Sequence, residues 1–334
     1  MLFLCYNTDM SYEPPFKITA KSINMISEIS ALVERFTISC KESDSLKLRK
    51  VNRMKTIQGS LAIEGNTLTE EQVTALIDGK TVVAPLKEVQ EVRNAIKVYE
   101  RFNEFNTYDW KDLLKAHALM AMGLVDNPGH FRQKGVCVAG KNGVSHIAPP
   151  ADMVPALIAD LFGWLKNSED HILIKSCVFH YEFEFIHPFE DGNGRMGRFW
   201  QSKILSEWNG VFENLPVENM IWENQPEYYK AIELSTQNTD SGIFVEFMLG
   251  LILKSLQAHI NQNDTVNDTV NDTVNSILQL LKENPLISYD DIAKKLGKSR
   301  PTVSRKIAEL KKQGVIERTG SAKKGSWRIV PKAK

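Results

Sequence analysis

The twelve residues His187-Pro-Phe-Glu-Asp-Gly-Asn-Gly-Arg-Met-Gly-Arg198 constrain this chain more than any other stretch. Three glycines and a proline end a strongly apolar run, so the segment must turn before the next element begins. Gly192, Gly194 and Gly197 match GxGxxG, and Phe179, Tyr181, Phe183 and Phe185 alternate before them as a strand would. Glu213 even follows at about the distance of a ribose-binding carboxylate. Three features exclude a dinucleotide-binding turn. Pro188 breaks the supposed strand short of the glycines, Asp191 would set a carboxylate against the pyrophosphate, and the flanking chain shows no βαβ repeat. Ile172, Lys175, Phe179, Glu182 and Phe183 fall instead along one long helix, followed by a loop at 187–194 and a second helix from Arg195 to Trp208.

That helix–loop–helix reading gives every polar residue of the loop a task. Successive backbone N–H groups at a glycine-rich helix N-terminus form an anion cradle that the helix dipole strengthens. Arg195 and Arg198 are three apart, share a face and can clamp phosphates. Asp191 can hold a Mg²⁺ that bridges phosphate oxygens. His187, four residues earlier, is placed to take a proton from an attacking hydroxyl. Base, metal carboxylate, cradle and arginines describe phosphoryl or nucleotidyl transfer, chemistry that rests on positioning and charge neutralisation.

The chain has 334 residues, 43% apolar and 25% charged, which excludes disorder and collagen-like repeats and predicts about two domains. Lys+Arg and Asp+Glu are both 41, so only the distribution of charge is informative. Residues 276–334 carry 15 Lys/Arg against five Asp/Glu, whereas the first 275 residues carry 26 against 36. An acidic body with a basic tail predicts that the tail meets a polyanion. Cys5, Cys40, Cys137 and Cys177 are scattered without a CxxC pair, so no zinc spacing is present and a reduced, cytoplasmic chain is expected. The opening MLFLCY is too short for a signal peptide, and no run approaches the ~18 apolar residues of a membrane span.

Helical periodicity covers residues 22–106, with Thr69-Glu-Glu-Gln72 as an N-cap and acidic first turn, and resumes over Trp110–Met122. Val136–His146 breaks it with β-branched residues around a Gly/Asn/Lys turn, a hairpin closed by Pro149 and Pro150. Asn263–Asn275 repeats NDTV three times, a tract of poor helix formers that reads as a partly helical linker. The domains expected are 1–108, a helical region; 109–256, the core bearing the loop; 257–275, the linker; and 276–334, the tail. In the tail, a helix over Val274–Leu281 precedes one opened by Ser288 and one capped by Ser299 and stopped by Gly314. A basic-tipped hairpin follows, so the tail resembles a winged helix-turn-helix domain and DNA is its expected partner. Arg300, Ser304 and Arg305 on the third helix, with Lys323 and Lys324 at the wing tip, are the candidate DNA contacts.

HPFEDGNGRMGR also matches the Fic signature HxFx(D/E)GNGRxxR at every fixed position, and the chain resembles that family over about 20–250. GHFR at 129–132, the hairpin, and EYYKAI at 227–232 share in the resemblance. It implies a mainly α protein, a Fic-fold helical core with a small β-hairpin flap, ahead of the winged helix-turn-helix domain. It further implies transfer of AMP from ATP, with Mg²⁺, to a Ser, Thr or Tyr hydroxyl of a target protein or of the chain itself, releasing pyrophosphate. Carried onto this sequence, His187 is the general base, Phe189 anchors the loop and Asp191 binds the metal. Gly192, Asn193, Gly194, Met196 and Gly197 surround the phosphates, and Arg195 and Arg198 hold the β- and γ-phosphates. Val144, Ser145 and His146 align the target by strand addition, and Tyr228 lines the adenine pocket.

Ser60-Leu-Ala-Ile-Glu64-Gly65 resembles the family's inhibitory motif (S/T)xxxE(G/N). The resemblance implies that Glu64 pairs with Arg198, competes with the γ-phosphate, and can also orient a water that removes AMP. A homo-oligomer that tunes this helix is compatible with the pattern. Two alternatives stay open: transfer of another phosphate-containing group, and a DNA-binding regulator whose core only senses nucleotide. Gly194, where the kinase-like branch has lysine, disfavours the first, and the intact His187 disfavours the second.

Overall fold

The computed structural model describes residues 12–39, 45–140, 143–213, 215–312, 314–319 and 326–330. It is mainly helical and divides into two units, Met1–Ala258 and His259–Lys334. In the first unit the helices are α1 (Ala20–Ser39), α2 (Ser45–Ile63), α3 (Glu70–Ile77), α4 (Leu86–Glu100) and α5 (Trp110–Met120). The hairpin β1 (Cys137–Gly140) and β2 (Gly143–Ile147) comes next. Then follow α6 (Val154–Asn167), α7 (Ile172–Ile186), α8 (Asn193–Trp208), α9 (Val217–Glu223), α10 (Gln225–Asn238) and α11 (Gly242–Glu283), within which the unit division falls.

The sequence of α7, ILIKSCVFHYEFEFI, is apolar almost all round, and a helix of that kind has to be the one its neighbours surround. Every residue from Leu173 to Glu184 is buried. Its one lysine is accommodated at an end: the Lys175 ammonium donates to the carbonyls of Leu165 and Ser168 and so caps α6. Against α7 lies α8, where Gly197 leaves no room for a side chain, since a Cβ there would stand 2.6 Å from Glu184 Oε1 and 3.1 Å from His180. Phe199, two residues on, receives the rings of Tyr99, Phe102 and Phe105 edge-on.

Helix α2 packs on α9 by another device. A Cβ at Gly59 would stand 2.7 Å from the Cα of Asn219, so the two backbones touch through the missing side chain. Thr69 caps α3 with the reciprocal box its sequence predicts, Gln72 returning a bond to the Thr69 N–H. The hairpin pairs antiparallel with Cys137 opposite Ile147 and Gly140 opposite Gly143, with a bulge between Val138 and Ala139.

Helix α11 runs through the NDTV tract, which therefore is not a break in secondary structure, although the side chains of 259–273 and 275 lie outside the described residues. Helix propagation from the apolar sequences on both sides outweighs the poor propensity of Asn, Asp and Thr.

The second unit has its own core of Ile277, Leu281, Ile287, Ile292, Val303, Ile307, Leu310, Ile316 and Trp327. Besides the end of α11 it contains α12 (Tyr289–Leu296), α13 (Arg300–Lys312), β3 (Ile316–Thr319) and β4 (Ser326–Ile329), the strands antiparallel. Ser288 caps α12 and Gly297 ends it in the left-handed region at φ 60°, the turn a helix-turn-helix needs. Among the described residues no helix is long and apolar enough to cross a membrane.

Candidate active site

Helix α7 ends at His187, whose backbone is left-handed at φ 51°. A non-glycine residue pays about 1–2 kcal/mol for that conformation, so neighbouring contacts must hold it there. The His187 N–H bonds Phe183 O at 2.9 Å. Its Nδ1 lies 3.3 Å from Glu184 O, and because a carbonyl only accepts, Nδ1 carries the hydrogen. Nε2 is then the nitrogen with a lone pair for a proton, and the ring is half-buried at the end of the helix.

The loop after it is closed from within. The Asn193 amide accepts from the Phe189 N–H at 2.8 Å and donates to the Phe189 carbonyl at 2.9 Å. The Asn193 side chain therefore holds the loop, and only its backbone N–H remains for an anion. Phe189 is fully buried, as expected of an anchor, and lies parallel on the His117 ring with centroids 3.6 Å apart. His117 Nδ1 accepts from the Gly129 N–H at 2.9 Å, so Nε2–H donates to Asp191 O at 3.0 Å. Burial drives the His117 pKa down to about 4, which keeps this donor–acceptor pattern intact at neutral pH.

Gly192, at φ 84°, starts α8, and its N–H reaches Asp191 Oδ1 at 2.6 Å. Asp191 Oδ1 also accepts from Arg195 Nη2 at 3.2 Å, while the carboxylate is 46% exposed. Arg195 is the informative side chain. It is buried, yet Nε and Nη1 have no partner among the described residues. Two unmet guanidinium donors beside the first turn of a helix are a ready receptor for an anion.

Arg198, by contrast, is engaged through Nε and Nη2. Nε donates to Ser60 Oγ at 3.1 Å, and Nη2 donates to Ser60 O at 2.9 Å and to Glu64 Oε1 at 2.7 Å. Glu64 sits in the turn that follows α2, with Gly65 left-handed behind it and the Ile63 carbonyl held by Gln225 Nε2 at 2.7 Å. A Cβ on Gly194 would overlap Glu64 Oε1. Sequence reasoning thus brings His187, Asp191, Gly192, Asn193, Gly194, Arg195, Arg198 and Glu64 to one place, and the structure assembles them there.

Three expectations change. Met196 is fully buried and Gly197 faces Glu184, His180 and Phe183, so the structure places both in the α7–α8 packing. Tyr228 is 2% exposed, with its hydroxyl on His180 Nε2 and its ring against Phe244, and offers a base no surface. Tyr229, 37% exposed and within electrostatic reach of Glu64 and Arg198, is the tyrosine that borders the site. Val144, Ser145 and His146 lie in β2, but their side chains are outside the described residues.

Some contributors carried no readable signal. His117 is a lone histidine on an amphipathic helix, and Glu184 a lone acid on α7. Glu184 is buried with Oε1 unpartnered, and its pKa rises to about 8: burial raises it, the Arg198 charge opposes this, and Glu64 reinforces it. His180 Nε2 lies 3.9 Å from that oxygen, but it accepts from Tyr228 and burial lowers its pKa to about 3. Two neutral groups face each other there, not an ion pair.

In the second unit Arg300 pairs with Asp290 at 3.1 Å, Arg305 is exposed and Ser304 half-buried on α13. Lys323 and Lys324 lie outside the described residues.

The Fic/DOC family profile matches residues 107–205, which contain His117, the hairpin and the loop. A Fic family protein from Desulfovibrio desulfuricans G20, known from its crystal structure, is 41% identical; the match covers 97% of this chain and 100% of that one, with a TM-score of 0.74. The chain belongs to the Fic family. Residues 270–317 match a winged helix-turn-helix DNA-binding profile, so this Fic protein carries a winged helix-turn-helix domain after its core. The Fic-1 fragment 134–508 of C. elegans shares the fold, with 22% identity, a TM-score of 0.62 and coverage of 74% of each chain. Among curated relatives, a probable protein adenylyltransferase of Aquifex aeolicus is 28% identical over 184 residues, 49% of this chain and 54% of its own. The protein adenylyltransferase Fic of Culex quinquefasciatus is 28% identical over 221 residues, 61% of this chain and 41% of its own. The chain spans about half the length of the curated relatives it matches.

Proposed function

We propose that this Fic protein transfers AMP from ATP to a hydroxyl of a target protein and that Glu64 restrains the transfer. The observation that carries the reading is the pairing of a histidine held with Nε2 as proton acceptor and an arginine, Arg195, with two buried donors unmet. The α8 N-terminus and Arg195 would hold the phosphates. The target, laid as a strand along the hairpin, would present its hydroxyl to His187. Its oxygen attacks the α-phosphorus, Nε2 takes the hydroxyl proton, and the bond to the β-phosphate oxygen breaks to release pyrophosphate. One half-exposed carboxylate beside a phosphate cradle fits the sparse protein ligation of Mg²⁺: Asp191 would hold the ion, which would supply neutralisation of phosphate charge.

Arg198 supports the restraint. Its Nε and Nη2 are taken by Ser60 and Glu64, so a γ-phosphate would compete with a charge-assisted bond for Nη2. ATP labelled at the α-phosphate tests the reading. Label on protein should rise about tenfold or more in Glu64→Gly and vanish in Glu64→Gly/His187→Ala. If neither the chain itself nor added lysate protein takes label in the Glu64→Gly variant, AMP transfer is wrong.

The tail supports a second partner. Its charge of 15 basic against five acidic residues, with Arg305, Lys311 and Lys312 exposed on α13, fits a DNA backbone. The full chain should bind labelled duplex DNA with affinity that falls steeply between 50 and 200 mM salt, roughly the range over which phosphate contacts are screened. Arg305→Ala should weaken it by about 1–3 kcal/mol. No binding to mixed-sequence duplex at the lower salt would remove DNA from the proposal.

A further inference from the structure

We infer that Arg132 is a positioning residue of the transfer reaction, holding the backbone of His187 and both stems of the hairpin with a single guanidinium. The inference rests on the AMP-transfer reading for its catalytic consequence, but not for its geometry.

Arg132 stands between α5 and β1 and is 2% exposed. Its Nε donates to His187 O at 2.8 Å, and Nη2 donates to Ile186 O at 3.2 Å and to Pro149 O at 2.5 Å. Nη1 donates to Lys134 O at 2.8 Å, and the Arg132 N–H donates to Pro188 O at 2.9 Å. Every partner is a backbone carbonyl. Among the described residues no carboxylate pairs with this buried cation.

A buried charge without a counter-ion persists only where the carbonyls around it need it. Here they do. Ile186 is the last residue of α7 and His187 its C-cap, so these carbonyls form the negative end of a helix that has no neighbour to continue it. A helix end in the left-handed region normally takes glycine, but this one must carry an imidazole. Arg132 holds a histidine in a glycine's conformation by fixing the carbonyl on its far side.

The other two carbonyls make the residue more than a cap. Lys134 precedes β1 and Pro149 follows β2, so the same planar fork ties the hairpin's two stems to the backbone of the base. A target strand added to the hairpin would then meet Nε2 at a distance fixed by one side chain. A misplacement of about 1 Å in such a pair costs on the order of 100-fold in rate. Lysine keeps the charge but offers one point of donation, and cannot span four carbonyls in a plane.

The test uses the full chain in the Glu64→Gly background, with α-labelled ATP and self-labelling as readout. Arg132→Gln should lower kcat on the order of 100-fold while leaving the KM for ATP within about twofold, and Arg132→Lys should recover only part of the loss. Melting of each variant separates lost fold from lost positioning. A kcat drop no larger than the unfolded fraction overturns the inference, as does an Arg132→Lys enzyme with parental kcat. A second readout is independent of transfer. Nitrogen-15 spectra of the His187 imidazole, assigned with His187→Ala, should show the Nδ1–H tautomer in the parent and a mixture in Arg132→Lys. Unchanged tautomer in a folded Arg132→Lys protein overturns the inference even if the Glu64→Gly parent labels nothing, an outcome that by itself sinks only the AMP-transfer reading.

Discussion

Two helices of this Fic protein reach the same arginine, and they differ in how they are held. Helix α8, which carries Arg198, packs on α7 with every residue from Asn193 to Leu205 except Gly194 buried, the apolar Met196, Phe199, Trp200, Ile204 and Leu205 among them. Helix α2, which brings Ser60 and Glu64 to that arginine, buries Asn52, Thr56, Gln58 and Ser60. Asn52 Nδ2 and Gln58 Oε1 have no partner among the described residues. An unmet buried polar atom costs about 1–3 kcal/mol, a cost that water relieves as soon as the helix lifts. Apolar area gains nothing from lifting, and about 25 cal/mol per Å² opposes it. The α7–α8 pair holds unmet atoms as well, but two of its three are the Arg195 donors that an anion would satisfy, so α2 is the element expected to lift and α7–α8 the part expected to stay.

A methyl group placed on one glycine in each region sharpens the contrast. In α2, Gly59→Ala presses Cβ against the backbone of Asn219, which cannot yield as a side chain would. The helix must shift off α9, Glu64 goes with it, and label transfer should rise toward the Glu64→Gly level, about tenfold or more. Wild-type labelling in Gly59→Ala would show that α2 is as fixed as α7. In α8, Gly197→Ala presses on Glu184, His180 and Phe183 inside the permanent core. That variant should lose about 1–3 kcal/mol of stability and gain no transfer, seen as a lower thermal midpoint with labelling at or below wild type. A rise in transfer would break the comparison from the other side.

The smallest effect concerns charge within the fixed region. Glu184 keeps its proton up to about pH 8 in the folded chain, against an ordinary value of 4.5. Between those values the unfolded chain has released a proton that the folded chain retains, so stability falls as pH rises across the window. Glu182 and Glu218, each raised to about 7 by burial, act in the same direction. His117 and His180 act oppositely, but only below their ordinary value of 6.5. Between pH 6.5 and 8 the wild type should therefore lose stability that Glu184→Gln keeps, about 2 kcal/mol over the window. Parallel thermal midpoints for the two proteins would mean that Glu184 is ionised throughout.

The loop was legible because its chemistry needs fixed residue types at fixed spacing. His187, Asp191, Arg195 and Arg198 lie on a helix–loop–helix at spacings that bring them to one place. The same motif does not tell that Met196 and Gly197 pack inward, since consecutive residues of a helix face different ways and only packing decides which way is inward. Tyr228 and Tyr229 illustrate the same limit: adjacent and chemically identical, they differ only in which one the α10 surface turns to Phe244. Arg132 was visible as part of GHFR, but its four carbonyl partners lie up to 55 positions away and leave no pattern nearby. His117 left none at all. The NDTV tract reads as a partly helical linker, and α11 runs through it, further than the propensities of Asn, Asp and Thr alone would carry a helix.

Gly194 gives the restraint a genealogy. A β-carbon at that position and a carboxylate at position 64 would occupy the same space. Across descendants of such a chain the two characters should be inherited as alternatives. Because the obstructing atom is the tip of a flexible side chain, a methyl at 194 would push the Glu64 carboxylate aside, so a lineage that keeps the Glu64–Arg198 contact in this form is held to glycine there.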